Sequence, residues 1–412
     1  MKQRTKREKV SYPELKALWL GLFVDILGFY LIIPFLPGFI EFFNTTPFVI
    51  GLLLATNAVF TLFFAPIWGK ISDRIGRKPV LIISQMGTFT AFLMLAFSST
   101  LEMLFIARIV DGIFGGNYPM VKAIISDTVP PKNRGVQMTN VGVCHVLAGL
   151  IGPGLGGILS IIQILGPNYP VATAGFVSAA LSFTTICITI FFIKESWPKE
   201  KRLKTDKEER VNIKIRENKD ATYLLTQYTF HTISFTMYIA TLTIFLGIVL
   251  GLKALEIGIL LTISGLFRAI MRFTVFKPTL RLLGERTTTK MGLLIVVITF
   301  FLVGFVKDIW EMILLMLFVS YGVSCSRGLL ISKVTQSVRP SEIGKINGYT
   351  TTLDSVAQII GPIIGTLILS LYDPIWFGAT LALIALGAFI MVFKEIIPLY
   401  LKETEIQAKN LT

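Results

Sequence analysis

The sequence predicts an all-α membrane protein with twelve transmembrane helices arranged as two pseudo-symmetric six-helix bundles. Three observations carry that expectation. Of the 412 residues, 53% are hydrophobic and only 16% charged, with a mean hydropathy of +0.71, whereas a soluble domain carries about 25% charge. Apolar runs of roughly 20 residues, each long enough to cross about 30 Å of hydrocarbon, recur along nearly the whole chain. Finally, the two halves repeat one another in register.

The runs fall at about 15–40, 47–68, 79–99, 101–126, 136–163, 170–193, 221–250, 254–276, 290–306, 309–334, 344–371 and 373–400. Lipid offers no water to unpaired backbone groups, so they read as helices despite their Phe, Ile and Val content. The opening MKQRTKREK resembles the basic start of a signal peptide. The apolar stretch behind it, however, contains Asp25 and two prolines and leads to no small-residue cleavage site, so it reads as a retained first span. Lys and Arg concentrate in the N-tail (1–14), the even-numbered connections and the C-tail (401–412); only Lys253 and Lys307 fall in the opposite connections. This bias predicts a plasma-membrane protein with both termini in the cytoplasm. The charged segment 194–220, which begins KESWPKEKRLK, divides a bundle at 15–193 from one at 221–400. It reads as a solvated tether or as a contact for lipid headgroups.

Membrane topology therefore accounts for the net charge of +14, and no nucleic-acid partner is expected. Cys144, Cys187 and Cys325 lie inside apolar runs without disulfide or metal spacing. Neither a metal nor a cofactor is expected.

The repeat is clearest when residues 126–159 are shifted by 209 positions. Val129, Pro131, Gly135, Ala148, Ile151, Gly152, Pro153 and Gly156 then fall on Val338, Pro340, Gly344, Ala357, Ile360, Gly361, Pro362 and Gly365. At an offset of 208, KPTLRLLGER (277–286) overlays GKISDRIGRKPVL (69–81), placing Gly284 on Gly76 and Arg281 on Asp73. Parallel repeats of this kind suggest a site near the bilayer midplane between the halves, exposed alternately as one half rocks against the other.

The stretch GKISDRIGRKPVL supplies Gly69, Asp73, Arg74, Gly76, Arg77 and Lys78. It resembles the connection between the second and third helices of the major facilitator superfamily, G-x3-D-x2-G-R-[RK], and the resemblance extends over essentially the full chain. It implies that Asp73 and the arginines form a latch between helix ends, stabilising the state open to the outside. A simple positive-inside loop is the competing reading. The fifth span carries GLIGPGLGG (149–157), with Gly149, Gly152, Pro153, Gly156 and Gly157. It is similar to the family's antiporter motif, G-x2-GP-x2-GG, found mainly in exporters; close helix packing is the other role open to it. DILG (25–28) and PFLP (34–37) in the first span look like the twelve-helix drug:proton antiporters, in particular the tetracycline-efflux type. One departure is plain: the third and ninth spans, acidic in the tetracycline exporters, have no acidic residue in FTAFLMLAF or GLLIVVITFF.

Charges inside the membrane are costly and mark function or a partner. Arg108 and Asp111 share one helix face in the fourth span. The resemblance makes Arg108 the family's fourth-helix arginine, linked to proton coupling. Asp111 is either its salt-bridge partner or a carboxylate that releases a proton when substrate arrives, and Asp25 is a second candidate for that task. His145 and Asp354 occupy equivalent positions in the repeat and are placed to face one another across a central cavity; packing is the competing role for His145. His231 is a weaker candidate. Among the second-half cations Arg268, Arg272, Arg327 and Lys333, those near span ends can snorkel to headgroups. Arg327, midway along its span, either pairs with Asp354 or binds an anionic part of a substrate. Phe29, Tyr30, Phe114, Tyr118, Phe235 and Tyr238 lie where a cavity is expected, and an aromatic wall suits amphipathic ligands.

The function expected is alternating-access secondary transport. The leading form is proton-coupled efflux of small amphipathic molecules, driven by the proton gradient and carried out by a monomer in the bilayer. Import, or transport of organic anions and metabolites, is the alternative. No nucleophile–base or metal constellation supports an enzyme, since only His145 and His231 exist and neither has a partner at ligand spacing. A non-transport receptor or lipid-shuttling protein remains compatible with the scaffold.

Overall fold

The computed structural model describes residues 12–198, 200, 218–339, 342–394 and 396. Most of the 194–220 linker, nearly all of the N-tail and the whole C-tail lie outside them. The N-terminal half contains α1 (Leu15–Tyr30), α2 (Gly38–Phe42), α3 (Pro47–Ile75), α4 (Arg77–Ala96), α5 (Leu101–Ile113), α6 (Asn117–Thr128), α7 (Pro131–Leu159) and α8 (Ala172–Phe192). The C-terminal half contains α9 (Lys219–Val249), α10 (Ala254–Ile270), α11 (Phe276–Val303), α12 (Ile309–Gln336), α13 (Ile343–Leu371) and α14 (Pro374–Met391). Side chains open several of these helices by accepting hydrogen bonds from otherwise unpaired amides. Asn218 accepts from the Ala221 amide, Asp308 from those of Trp310 and Glu311, and Asp373 from that of Ile375.

Among the described residues, ten stretches are long and apolar enough to cross a membrane. The first span, expected unbroken over 15–40, is instead α1, a short turn at Ile33–Phe35, and α2. Pro34 and Pro37 have no amide hydrogen with which to continue α1. The fourth expected span is broken at Phe114–Gly116 into α5 and α6, of 13 and 12 residues, so neither piece spans alone. The eighth expected span runs on past 276 through a wide π turn at Met271–Val275, and the non-helical backbone of Gly284 separates it from the ninth. The last helix stops at Met391 rather than near 400. Large apolar side chains such as Phe63, Phe191, Leu282 and Leu383 are more than half exposed. Such a surface suits hydrocarbon and would aggregate in water.

The repeat is visible in the backbone. Gly76 separates α3 from α4 with φ 109° and ψ 161°; Gly284, its equivalent, interrupts α11 with φ 73° and ψ 168°. Both are left-handed conformations that favour glycine. Packing repeats as well. In the N-terminal half α1 lies against α7 and α8; in the C-terminal half α9 lies against α13 and α14. Gly152 and Gly156 of α7 fit against Tyr30 and Leu31, and their equivalents Gly361 and Gly365 of α13 fit against Met237 and Thr241 of α9.

The halves meet where α7 packs on α10 and α3 on α13. At both places a glycine of one half sits against the proline carbonyl of the other. A β-carbon on Gly258 would collide with the carbonyl oxygen of Pro153, and one on Gly51 would lie 2.7 Å from that of Pro362. The Phe48 amide also donates to Ser370 Oγ across the interface at 2.9 Å, and Ile244 of α9 enters the apolar core of the N-terminal half. These contacts seal the end opposite the basic connections. Toward the basic end the glycines of the same helices are not packed in this way: β-carbons on Gly142 of α7, or on Gly344 and Gly348 of α13, would meet nothing within 4 Å. The cleft between the halves is thus closed at one end and open at the other.

Gly51→Val should hold the sealed end apart. A Phe48→Cys/Ser370→Cys pair is expected to cross-link readily in the parent background and several-fold less in Gly51→Val, as read by gel mobility after oxidation.

Candidate functional site

Asp25 of α1 points into the N-terminal bundle. Its Oδ2 accepts from Asn117 Nδ2 at 3.0 Å, Asn117 also reaches Thr88 Oγ1 at 3.3 Å, and Asp25 Oδ1 is sealed without a partner. Gln85, Asn117 and Thr189 line the same small cavity as Asp25. One turn apart on α5, Arg108 Nη1 and Asp111 Oδ2 are 3.3 Å apart, and Asn57 Nδ2 donates to that carboxylate oxygen at 2.8 Å.

In the C-terminal half, Arg327 Nη2 lies 3.3 Å from Asp354 Oδ1. The same oxygen accepts from the Tyr228 hydroxyl at 2.7 Å and lies 3.5 Å from Thr232 Oγ1. Phe235 is flanked by two guanidiniums, those of Arg327 at 5.6 Å and Arg268 at 5.9 Å from its ring centroid. His231 is fully buried, with Nε2 3.4 Å from Ser326 Oγ.

His145 and Asp354 have separate partners. His145 packs edge-on against Tyr118 and its Nδ1 lies 3.1 Å from the Val141 carbonyl, within its own helix. Lys122 Nζ stands 4.3 Å from the Tyr118 ring centroid and 3.5 Å from Thr351 Oγ1 of the opposite half. Of the expected cavity aromatics, Tyr118 and Phe29 are exposed, and Phe29 sits edge-on against Tyr30. Phe114 instead turns into the N-terminal bundle, filling the space over Gly87 and stacking on Trp68. Tyr238 is 1% exposed and stacks on Phe300 in the core of the C-terminal half.

At the basic end, GKISDRIGRKPVL folds into a knot centred on Arg77, which is 9% exposed. Its Nη1 bonds Asp73 at 2.7 Å and also Ser72, its Nε bonds Asp127 at 3.0 Å, and its guanidinium covers Trp197. Glu195, just past α8, accepts from the amides of Arg77 and Lys78 at 2.9 and 3.1 Å. That carboxylate caps α4 where the helix dipole favours negative charge. These partners belong to the N-terminal half and to the start of the linker that follows it. Lys78 Nζ reaches the Ile190 carbonyl at 2.7 Å, while Gly69 has open space beside it.

Sequence reasoning missed Asn57, Asn117, Lys122, Asp127, Glu195 and Tyr228. Asn57, Asn117, Lys122 and Tyr228 were open to detection as polar residues inside expected spans, whereas Asp127 and Glu195 lie in the connections and are recruited from them. Among the described residues no three His, Cys, Asp or Glu side chains cluster as metal ligands.

A cleft between two like bundles, sealed at one end and charged midway, is transporter geometry, and comparison with known proteins agrees. The family model for the Major Facilitator Superfamily matches residues 18–275 and 224–411. The chain belongs to that superfamily. It is 29% identical over 371 residues to the class H tetracycline resistance protein of Pasteurella multocida, covering 86% of this chain and 88% of that one. It is 26% identical over 369 residues to the multidrug resistance protein MdtG of Proteus mirabilis, covering 87% and 89%. Among solved structures, the human organic anion transporter MFSD10 aligns with a TM-score of 0.70 at 21% identity, over 93% of this chain and 100% of that one. A bacterial homologue of the lysosomal transporter Spinster, inward-facing and occupied, aligns with a TM-score of 0.72 at 15% identity, over 93% and 95%. The protein is therefore a multi-pass membrane transporter of the major facilitator fold for small molecules, and not an enzyme.

Removing the centre of the knot leaves the half-buried Asp127 without its cation, with Ser196 still donating to it. Arg77→Ala should destabilise the N-terminal half by roughly 3 kcal/mol, seen as a lower melting temperature of the purified protein in detergent.

Proposed function

We propose that this transporter is an exporter of small amphipathic molecules, exchanging them for protons by alternating access. It acts as a monomer in the plasma membrane, with both termini in the cytoplasm, and the proton gradient is its energy source. One observation carries the coupling: Asp25 lies in the membrane interior with an asparagine as its hydrogen-bond partner and no cation within ion-pair distance among the described residues. A charge so placed needs neutralisation, and a proton is the counter-charge at hand. Asp111 differs, because Arg108 already balances it. The resistance proteins among the relatives and the GLIGPGLGG motif support efflux as the direction, and the basic connections support the orientation. Opening toward the basic end then corresponds to a cleft that loads cargo from the cytoplasm. Asp73 and Arg77, which here pair within one half, are the groups available to bridge the halves in the opposite state.

A second reading, organic-anion transport, is favoured by Arg268, a cation in the C-terminal half with no carboxylate within 4.0 Å among the described residues. The human relative of the same fold that transports organic anions is consistent with it.

Purified protein reconstituted in liposomes with an imposed pH gradient tests the coupling. A substrate from a panel of tetracycline and lipophilic dyes should dissipate the gradient, and Asp25→Asn should abolish that proton movement while leaving substrate binding. Silence across the whole panel would count against the proposal.

A further inference from the structure

We propose that the cargo of the central cleft is an amphipathic anion, a carboxylate, sulfonate or phosphonate on an aromatic body, anchored by Arg268 and Phe235. The inference rests on the transport reading above and names the substrate class of that same cleft.

The charge inventory of the membrane interior leads there. Arg108 is balanced by Asp111 and Arg327 by Asp354. Apart from Arg272 and Lys333 nearer the span ends, Arg268 and Lys122 are left, and neither has a carboxylate within ion-pair distance among the described residues. Arg268 contacts the Phe235 ring, and Lys122 contacts the Tyr118 ring and a hydroxyl of the opposite half. Two guanidiniums share Phe235 while Asp354 neutralises only one of them. Like charges in such surroundings repel strongly unless an anion intervenes. The Tyr30 and Tyr238 phenols are electrostatic neighbours of Arg268, and the Tyr238 hydroxyl is sealed without a partner. The turn after Arg268 is the wide π turn Met271–Val275, a distortion often found at ligand sites.

The chemistry of the anchor follows. A planar guanidinium takes an oxyanion through two parallel hydrogen bonds. An adjoining aromatic face holds an apolar body, and unbalanced positive charge repels lipophilic cations. Arg327 is the poorer anchor. An anion that displaced Asp354 would leave that carboxylate stranded and in need of a proton, so cargo and proton would travel together. Export by exchange requires that they bind separately, which an anion on Arg268 allows.

Equilibrium dialysis of the purified full-length protein in detergent tests this with 2-naphthoate and 2-naphthylmethylammonium, alike in apolar body and opposite in charge. Naphthoate should bind saturably and at least about ten-fold tighter than the ammonium probe. Arg268→Gln should weaken naphthoate about ten- to hundred-fold, with Arg268→Lys falling between the two. The proposal is overturned if the ammonium probe binds equally well, if neither probe saturates, or if Arg268→Gln binds naphthoate as the parent does. Should Arg268→Gln fail to fold, the charge preference of the parent protein and the loss in Arg268→Lys decide. Flux in proteoliposomes separates the two claims. Arg268-dependent naphthoate binding without flux keeps the anchor and removes the transport reading. Flux of the ammonium probe alone keeps transport and removes the anchor.

Discussion

A charge inside a bilayer must carry its counter-charge with it, and here the interior ion pairs are each contained within one half. Arg108 with Asp111 belongs to the N-terminal bundle and Arg327 with Asp354 to the C-terminal one. A pair spanning the interface would have to be broken in hydrocarbon each time the halves parted, at a cost of several kcal/mol. Internal pairing leaves the interface to be built from backbone and small residues. The Pro153–Gly258 and Pro362–Gly51 contacts are what that arrangement permits.

Much of this was legible in the sequence, because spans and repeats are written in local residue type. The glycine–proline stretches at 149–157 and 358–366 announced two equivalent helices, and these occupy equivalent places against α1 and α9. Gly284 could be aligned with Gly76 from spacing alone, and the two share a left-handed backbone. The partners of the charged groups were not legible. Asn117 lies 92 positions from Asp25, and Glu195 lies 118 positions from Arg77. Nothing in local composition links such residues; only the packing of several helices brings them together. Phe114 illustrates the same limit, since its place in the chain suited a cavity wall while the break beside it turned the ring inward.

The two halves also differ in a way their shared backbone conceals. Arg77 ties together Asp73, Asp127 and the start of the linker, whereas Arg281 stands where Asp73 would be in the second copy. The repeat therefore preserves the turn and confines the charge knot to one bundle. That bundle is locked at its basic end, which suits it as the frame against which the other half moves.

The glycine–carbonyl seal has an entropic consequence. Closing an interface of long side chains freezes rotamers, at up to about 2 kcal/mol for each residue ordered. Glycine and backbone carbonyls have no rotamers to freeze, so at these contacts the gate shuts with little such loss, and only a few short or apolar side chains such as Thr366, Ser370 and Ile244 are left to order. The open and closed states can then lie close in free energy, and the modest differential affinity of one small ligand is enough to tip the population from one to the other.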